Sequence, residues 1–154
     1  MGRQQHLELG AVARAIIDSN FYMTLGTADK EGRPWVSPVY YAPEGYAKFY
    51  WVSSPEATHS RNLAVRPEVS IVIFDSRTPV GSGQGVYMSA VAQVLRGTDL
   101  DRGVAIFSRR SESHGAGEWS LEDVGPSARH RLYRATASEH YVLDPQDRRT
   151  PVSV

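Results

Sequence analysis

The chain has 154 residues, of which 41% are hydrophobic, and its 17 basic side chains balance 17 acidic ones. This length and composition predict a single domain over residues 1–154. The zero net charge gives no sign of a nucleic-acid or anionic-membrane partner, and no apolar run is long enough to span a bilayer. The lack of cysteine excludes disulfides and thiolate metal sites and, with no apolar leader, makes a cytoplasmic location the default expectation.

The first half of the chain is predicted to be a helix followed by three strands. Apolar residues at helical spacing place the helix at about residues 7–18. Strands are predicted at 21–28, at 35–42 and up to Ser53, and tight turns rich in glycine join them. Pro38 lies inside the second strand, and this favours an edge position or a bulge because proline cannot donate to a ladder.

The junction after the third strand carries a pattern of hydroxyl, histidine and arginine side chains. Ser54 is predicted to cap a helix that begins at the following proline and ends near residue 65. Unpaired amides at a helix start attract anions, so Ser53, Ser54, His59 and Arg61 together indicate a phosphate site. The alternative is an ordinary capped surface helix, on which Arg61 pairs with Glu56.

The second half is predicted to contain three further strands, at residues 69–74, 86–95 and 132–143. The strand at 69–74 is apolar on both faces and should therefore be covered from both sides. Thr98 is predicted to cap a helix over residues 99–109, and residues 111–127 are predicted to be a long loop that holds Trp119. The last ten residues are polar, so we expect a loose tail or one that wraps a neighbour.

The fold class that follows is mainly β, a six-stranded antiparallel barrel, closed or split, with a few helices outside the sheet. Its core should cover about residues 21–145. A chain of this size encloses a large ligand poorly by itself, so a second subunit that covers the two-sided apolar strand is expected.

Several segments, in their order along the chain, resemble the FMN-binding split-barrel proteins related to pyridoxamine 5′-phosphate oxidase. They are GRP at 32–34, VSPVY at 36–40, FYWVSS at 49–54, HSRNL at 59–63 and RPEVS at 66–70, with further similarity at 84–95 and 131–135. The resemblance implies a homodimer of split barrels, with two flavin sites at the subunit interface and a small-molecule substrate.

The resemblance also implies a set of cofactor-binding residues. Residues 37–40 would pass the isoalloxazine ring through backbone groups, and residues 51–54 would supply the ring edge and the first phosphate hydroxyls. The full set is Ser37, Pro38, Val39, Tyr40, Trp51, Val52, Ser53, Ser54, His59, Arg61, Asn62 and Gln84. Ser37 stands where the oxidase has an arginine and His59 where many members have a lysine, and the residues that grip the oxidase's substrate are missing. Cofactor binding therefore carries over better than the oxidase reaction.

The leading functional hypothesis is an FMN-binding oxidoreductase of unknown substrate. No catalytic triad or carboxylate pair is visible, and the histidines lie at no metal-ligand spacing, so neither catalytic side chains nor a metal site are predicted. A flavin carries its own redox chemistry and needs mainly binding and orientation. The alternatives are a reductase of the same fold that uses a deazaflavin coenzyme, a non-enzymatic flavin or haem binder, and a pyridoxamine phosphate oxidase proper.

Overall fold

A computed structural model describes residues 2–154 of the chain. Eight strands and four helices follow one another in it, and their bounds are as follows. The elements are α1 (Arg3–Ser19), β1 (Tyr22–Ala28), β2 (Pro34–Tyr40), β3 (Ala42–Glu44), β4 (Lys48–Ser53), α2 (Thr58–Val65), β5 (Glu68–Phe74), β6 (Gly85–Val94), α3 (Gly97–Ser113), α4 (Leu121–Val124), β7 (Arg131–Leu143) and β8 (Arg149–Pro151). In residues 2–154, no helix is both long and apolar enough to cross a membrane.

The strands form one curled antiparallel sheet. Its order is β2-β1-β5-β6-β7-β4-β3, and β8 pairs with β7. The sheet curls until β2 and β4 contact each other, although no ladder joins these two strands in the described part of the chain. This split barrel confirms the predicted fold class, and β2 is an edge strand, as Pro38 indicated.

The sheet has eight strands, whereas six were predicted; the two strands that were missed, β3 and β8, are short. β3 forms where only a turn was expected. The Tyr41 N–H still donates to Phe21 O at 3.2 Å, next to β1, and residues 42–44 then pair with β4. β8 forms because an Asp144 carboxylate oxygen accepts the N–H groups of Gln146 and Arg148, at 2.9 and 3.0 Å. This turn sends the polar tail back along β7, so the tail is not loose there.

The helix after β4 begins later than predicted. Its N-cap is Ala57, and neither Ser54 nor any other side chain caps it. The Ser54 hydroxyl instead accepts the Glu56 N–H at 3.2 Å, and the Ala57 N–H donates to Ser54 O at 3.1 Å. Ser54 and the proline after it therefore form a turn before the helix, so their assignment as N-cap and first helical residue was wrong.

The segment predicted as a long loop is partly helical. Arg96, not Thr98, is the N-cap of α3, which runs on to Ser113 because Ser111 continues the buried face of the helix beyond residue 109. α4 follows with a reciprocal capping box between Ser120 and Asp123.

Two apolar clusters hold the fold together. One fills the barrel and includes Trp51 and Leu25, and the other lies outside β4 and β7 beneath α3 and includes Tyr50 and Leu132. α3 packs closely at Gly103, where an added Cβ would lie 2.8 Å from Leu132 Cδ2. The second cluster thus fixes α3 against the outer side of the barrel.

One face of the sheet is uncovered in the single chain. β5 alternates strictly, so Val69, Ile71 and Ile73 are buried while Phe74 on the other face is 49% exposed. Val36 on β2 is 66% exposed as well. We expected both faces of β5 to be covered. Within one chain only its inner face is covered.

Candidate functional site

The split of the barrel leaves two unpaired strand edges facing each other. β2 pairs with β1 along one edge, and in the described residues its other edge has no ladder partner. β4 pairs with β3 only as far as Tyr50, so residues 51–53 also have one free edge. We call this opening the seam. Backbone N–H and C=O groups on such edges are available to a ligand.

The structure brings residues 37–40 and 51–53, seven of the predicted cofactor residues, to the two sides of the seam. Val39 and Trp51 point into the barrel core, and Trp51 stacks on Tyr133 with ring centroids 5.6 Å apart. Because these two side chains are buried, they can meet a ligand at the seam only through their backbone. Pro38 is exposed, and Tyr40 and Val52 are partly buried on the outer side.

Polar groups converge at the α2 end of the seam. His59 Nε2 lies 2.8 Å from Ser53 Oγ, which joins the end of β4 to the first turn of α2. Burial of the His59 ring lowers its pKa, so the imidazole is neutral at neutral pH. Because no side chain caps α2, the first amides of this helix are also left for an anion.

Asn62 attaches α2 to the sheet. It is buried, and its Nδ2 donates to Thr27 Oγ1 on β1 at 3.1 Å. Thr27 Oγ1 in turn lies 3.4 Å from Trp35 O on β2. On the same strand, Trp35 Nε1 donates to Ser37 Oγ at 3.0 Å. Asn62 therefore positions the helix, and the Ser37 hydroxyl already has one partner.

Arg61 is not brought to the Ser53–His59 pair. It forms an exposed ion pair with Glu56, as the alternative reading of this helix expected. Residues two apart on a helix lie on nearly opposite sides, and Arg61 lines a separate cavity with Ser60 and Tyr133.

Gln84 is not brought to the seam either. Its Oε1 accepts the N–H groups of Gly85 and Leu143, and its Nε2 donates to Leu143 O at 2.8 Å. The side chain thus links the start of β6 to the end of β7. Two strands, β1 and β5, lie between β6 and β2, and β4 pairs with the other end of β7, over residues 131–136.

A cavity of about 460 Å³ opens on the outer side of the seam, between β2, β4 and α3. We call it the aromatic cavity. Tyr40 and Val52 line it from the seam, and the remaining walls contain residues that were not among the predicted site residues. Among these are Phe107, His114, Trp119 and His130.

Tyr40 and His114 form the closest polar contact in this cavity, with Tyr40 Oη 2.6 Å from His114 Nδ1. Burial, with a smaller effect from the Arg110 charge, lowers the pKa of His114, and burial raises the pKa of Tyr40. Both side chains are therefore uncharged at neutral pH. Phe107, Ser111 and His114 follow one another at helical spacing, so a helix predicted beyond residue 109 would have indicated this wall.

Solved structures of similar fold include a heme binding protein, a heme storage protein and an F420 reductase. The heme binding protein from Mycobacterium smegmatis is 23% identical, with a TM-score of 0.72, over 91% of this chain and 55% of that chain. HutZ, the heme storage protein from Vibrio cholerae, is 21% identical, with a TM-score of 0.64, over 84% and 90%. An F420 reductase is 15% identical, with a TM-score of 0.61, over 83% and 94%.

At these identities the similarity shows the fold alone, and the chain spans only about half the length of the mycobacterial protein. A search of curated proteins finds no match to the sequence. The family model for pyridoxamine 5′-phosphate oxidase, in contrast, matches residues 9–144, which is most of the chain and includes both sides of the seam. The chain therefore belongs to the pyridoxamine 5′-phosphate oxidase family.

Proposed function

We propose that the protein is an FMN-binding oxidoreductase that holds the flavin along the seam. The observation that carries this proposal is the pair of unpaired strand edges, which end at an uncapped helix N-terminus beside Ser53 and His59. A flat ring needs hydrogen-bonding groups along its edge, and a phosphate needs donors at one point. The free edges of β2 and β4 offer the first, and Ser53, His59 and the first amides of α2 offer the second.

The phosphate would bind where Ser53 meets α2. The Ser53 hydroxyl, the His59 imidazole and the first amides of α2 can all donate hydrogen bonds to phosphate oxygens. A phosphate dianion beside His59 would raise the pKa of its imidazole and give it a positive charge. His59 would then do part of the work of a lysine, but only when it is protonated.

The ring would lie between residues 37–40 of β2 and residues 51–53 of β4. Backbone groups on both edges can bind the polar edge of the isoalloxazine, while Tyr40 and Val52 contact its apolar part from the outer side. Bound FMN supplies the hydride and electron chemistry, so the chain has to bind it, orient it and exclude water. We assign no catalytic side chain.

Three further residues of the predicted set already form hydrogen bonds or ion pairs within the chain. Ser54 closes the turn before α2, Arg61 would have to leave Glu56 to reach the phosphate, and Gln84 would have to leave Leu143. Asn62 supports the site by fastening α2 to β1. The proposal therefore depends mainly on Ser53 and His59.

We propose further that two copies of the chain form a dimer through the uncovered sheet face. Val36 and Phe74 are exposed on the outer surface of the sheet, and Val72 and Tyr87 beside them are only partly buried. Burying such a face stabilises an assembly by roughly 25 cal/mol for each Å² of apolar surface removed from water. A second copy would also enclose the cofactor sites that the resemblance places at the interface.

Fluorescence titration of FMN into the purified protein tests the proposed function. Saturable binding with one FMN per chain is expected, and it should weaken in Ser53→Ala and His59→Leu. The deazaflavin coenzyme, as the alternative cofactor, is titrated in parallel, and tighter binding of it than of FMN would replace FMN in the proposal. Failure of both to bind would remove the proposal.

A haem-binding protein is the second candidate. Two imidazoles, those of His114 and His130, line the aromatic cavity. Tyr40 contacts Nδ1 of His114, so this contact does not use the Nε2 atom. An imidazole nitrogen at the wall of an apolar cavity can ligate haem iron. A Soret band that forms on adding hemin, and is lost in His114→Phe or His130→Phe, would support this candidate.

A further inference from the structure

The aromatic cavity contains no formally charged side chain in its described wall. Its lining residues include no Asp, Glu, Lys or Arg. A guanidinium near the cavity, that of Arg110, is not among the lining residues; it donates to Asn20 O at 2.9 Å and stands 5.2 Å from the ring centre of Tyr41, although its charge acts on Tyr40 and His114. An anionic ligand would thus lose its hydration without a cation in the cavity wall to pair with, which is unfavourable.

Flat rings form most of the cavity wall. Phe107 meets Tyr40 and Trp119 edge to face, with centroid distances of 5.7 and 5.6 Å, and Phe21 lies 4.4 Å from the His114 ring. Aromatic walls of this kind favour stacked or edge-on contacts with another flat ring. A volume of about 460 Å³ lies within the usual range for small-molecule sites and has room for two or three fused rings.

The Tyr40–His114 pair supplies a directed polar group in this apolar setting. The neutral pair holds two polar hydrogens, one on the phenol and one on the imidazole, and its internal hydrogen bond uses one of them. Whichever tautomer His114 adopts, one donor is left over. A ligand with an acceptor atom can take this hydrogen bond.

We propose that the aromatic cavity binds the substrate of the flavin site, and that this substrate is a neutral, planar ring compound that carries a hydrogen-bond acceptor. The inference rests on the proposed function, because Tyr40 and Val52 belong both to the cavity and to the seam. A phosphorylated substrate, as in the oxidase reaction, would be disfavoured in this uncharged cavity.

Isothermal titration with a matched pair of ligands tests the charge selectivity. Methyl 2-naphthoate is neutral and carries acceptor oxygens, while 2-naphthoate has the same rings and a negative charge. At pH 8, with the protein saturated with FMN, we expect the ester to bind at least about tenfold more tightly than the anion, because burying an unpaired charge is costly. Equal binding, or tighter binding of the anion, would overturn the inference.

Variants locate the ester and test the polar contact. Tyr40→Phe and His114→Phe should each weaken ester binding about three- to tenfold, as expected for one lost hydrogen bond. Tyr46→Phe removes a phenol that donates to Asp18 elsewhere on the surface, and it should leave ester binding unchanged. Ala116→Trp, which places a large ring in the cavity, should abolish ester binding.

The titrations are repeated without FMN and compared with those on the FMN-saturated protein, which separates this inference from the proposed function. If FMN weakens ester binding by competition, the cavity holds the cofactor ring and the substrate assignment is wrong. If FMN binds and the ester does not, the inference fails while the proposed function remains. If the ester binds with the expected selectivity and FMN does not bind at all, the ligand class stands and the flavin function fails.

Discussion

His59 Nε2 lies 2.8 Å from Ser53 Oγ, so the last residue of β4 and the second residue of α2 share one hydrogen bond. This contact stands where a free strand edge meets an uncapped helix start. In the absence of a ligand, the two side chains satisfy each other. A phosphate that enters would exchange this bond for two charge-assisted ones.

Removing either member of this pair should weaken FMN binding. We expect Ser53→Ala and His59→Leu each to cost about 1–3 kcal/mol of binding free energy, because each removes a charge-assisted donor. The dissociation constants follow from quenching of FMN fluorescence. Ser127→Ala, which removes an exposed hydroxyl outside the seam, is the control and should bind as the parent does. Unchanged affinity in both His59→Leu and Ser53→Ala would move the phosphate elsewhere.

FMN binding should take up a proton at His59. Burial lowers the pKa of this imidazole in the free protein, and a bound phosphate would raise it. Affinity should therefore fall as the pH rises through the pKa of His59 in the complex. Calorimetry in two buffers with different heats of ionisation measures the proton uptake. In His59→Gln the uptake should disappear, and an identical uptake there would exclude His59 as the titrating group.

Glu56 should compete with the cofactor for Arg61. Their ion pair is exposed, so breaking it costs less than about 1 kcal/mol. Glu56→Gln would free the guanidinium and should tighten FMN binding by up to about tenfold, if Arg61 turns to the phosphate. The double variant Glu56→Gln/Arg61→Ala should lose this gain. Equal affinity of the parent and Glu56→Gln would show that Arg61 remains outside the site.

Acid should destabilise the fold before the carboxylates titrate. Burial lowers the pKa of His140, whose Nε2–H donates to Tyr46 O at 2.7 Å, and burial also lowers that of His59. The unfolded chain then binds protons first as the pH falls below about 6.5, so the free energy of unfolding should decrease below that pH. Above it, the stabilising contribution of the two neutral histidines is complete. Urea unfolding at several pH values measures the decline, which His140→Gln should reduce. A flat profile between pH 7 and 5 would contradict this assignment.

A charge on the uncovered sheet face should dissociate the proposed dimer. Val36→Asp places a carboxylate at an exposed apolar position of β2. We expect light scattering to give the mass of two chains for the parent and of one chain for the variant, with unchanged circular dichroism. Glu31→Asp in the exposed β1–β2 turn is the control. If the unmodified protein is monomeric at micromolar concentration, a dimer with a dissociation constant in that range or below is excluded.

The sequence predicted the strands and the edge position of β2 because alternation and proline act locally. It missed the start of α2, since Ser54 and the proline after it form a helix-start pattern that the chain uses as a turn. The helix is held instead by the bond from Asn62 to Thr27, 35 residues away, which no local pattern reveals.

Only part of the geometry of the candidate site follows from the sequence. Residues 37–40 and 51–53 were selected by resemblance, and the structure places them on the facing edges of β2 and β4. That the edge of β4 is free beyond Tyr50 depends on β3 beginning opposite this residue, at Ala42, which is a property of pairing between strands. The Tyr40–His114 contact spans 74 residues and requires α3 to extend beyond its predicted end. It could not be read from either segment alone.

The absorption spectrum of the purified protein after incubation with excess FMN and gel filtration is the most direct test of FMN binding at the seam. We expect a retained flavin band with close to one FMN per chain, and a weaker band in the double variant Ser53→Ala/His59→Leu. A colourless protein after this treatment, or a double variant that retains as much FMN as the parent, would contradict it.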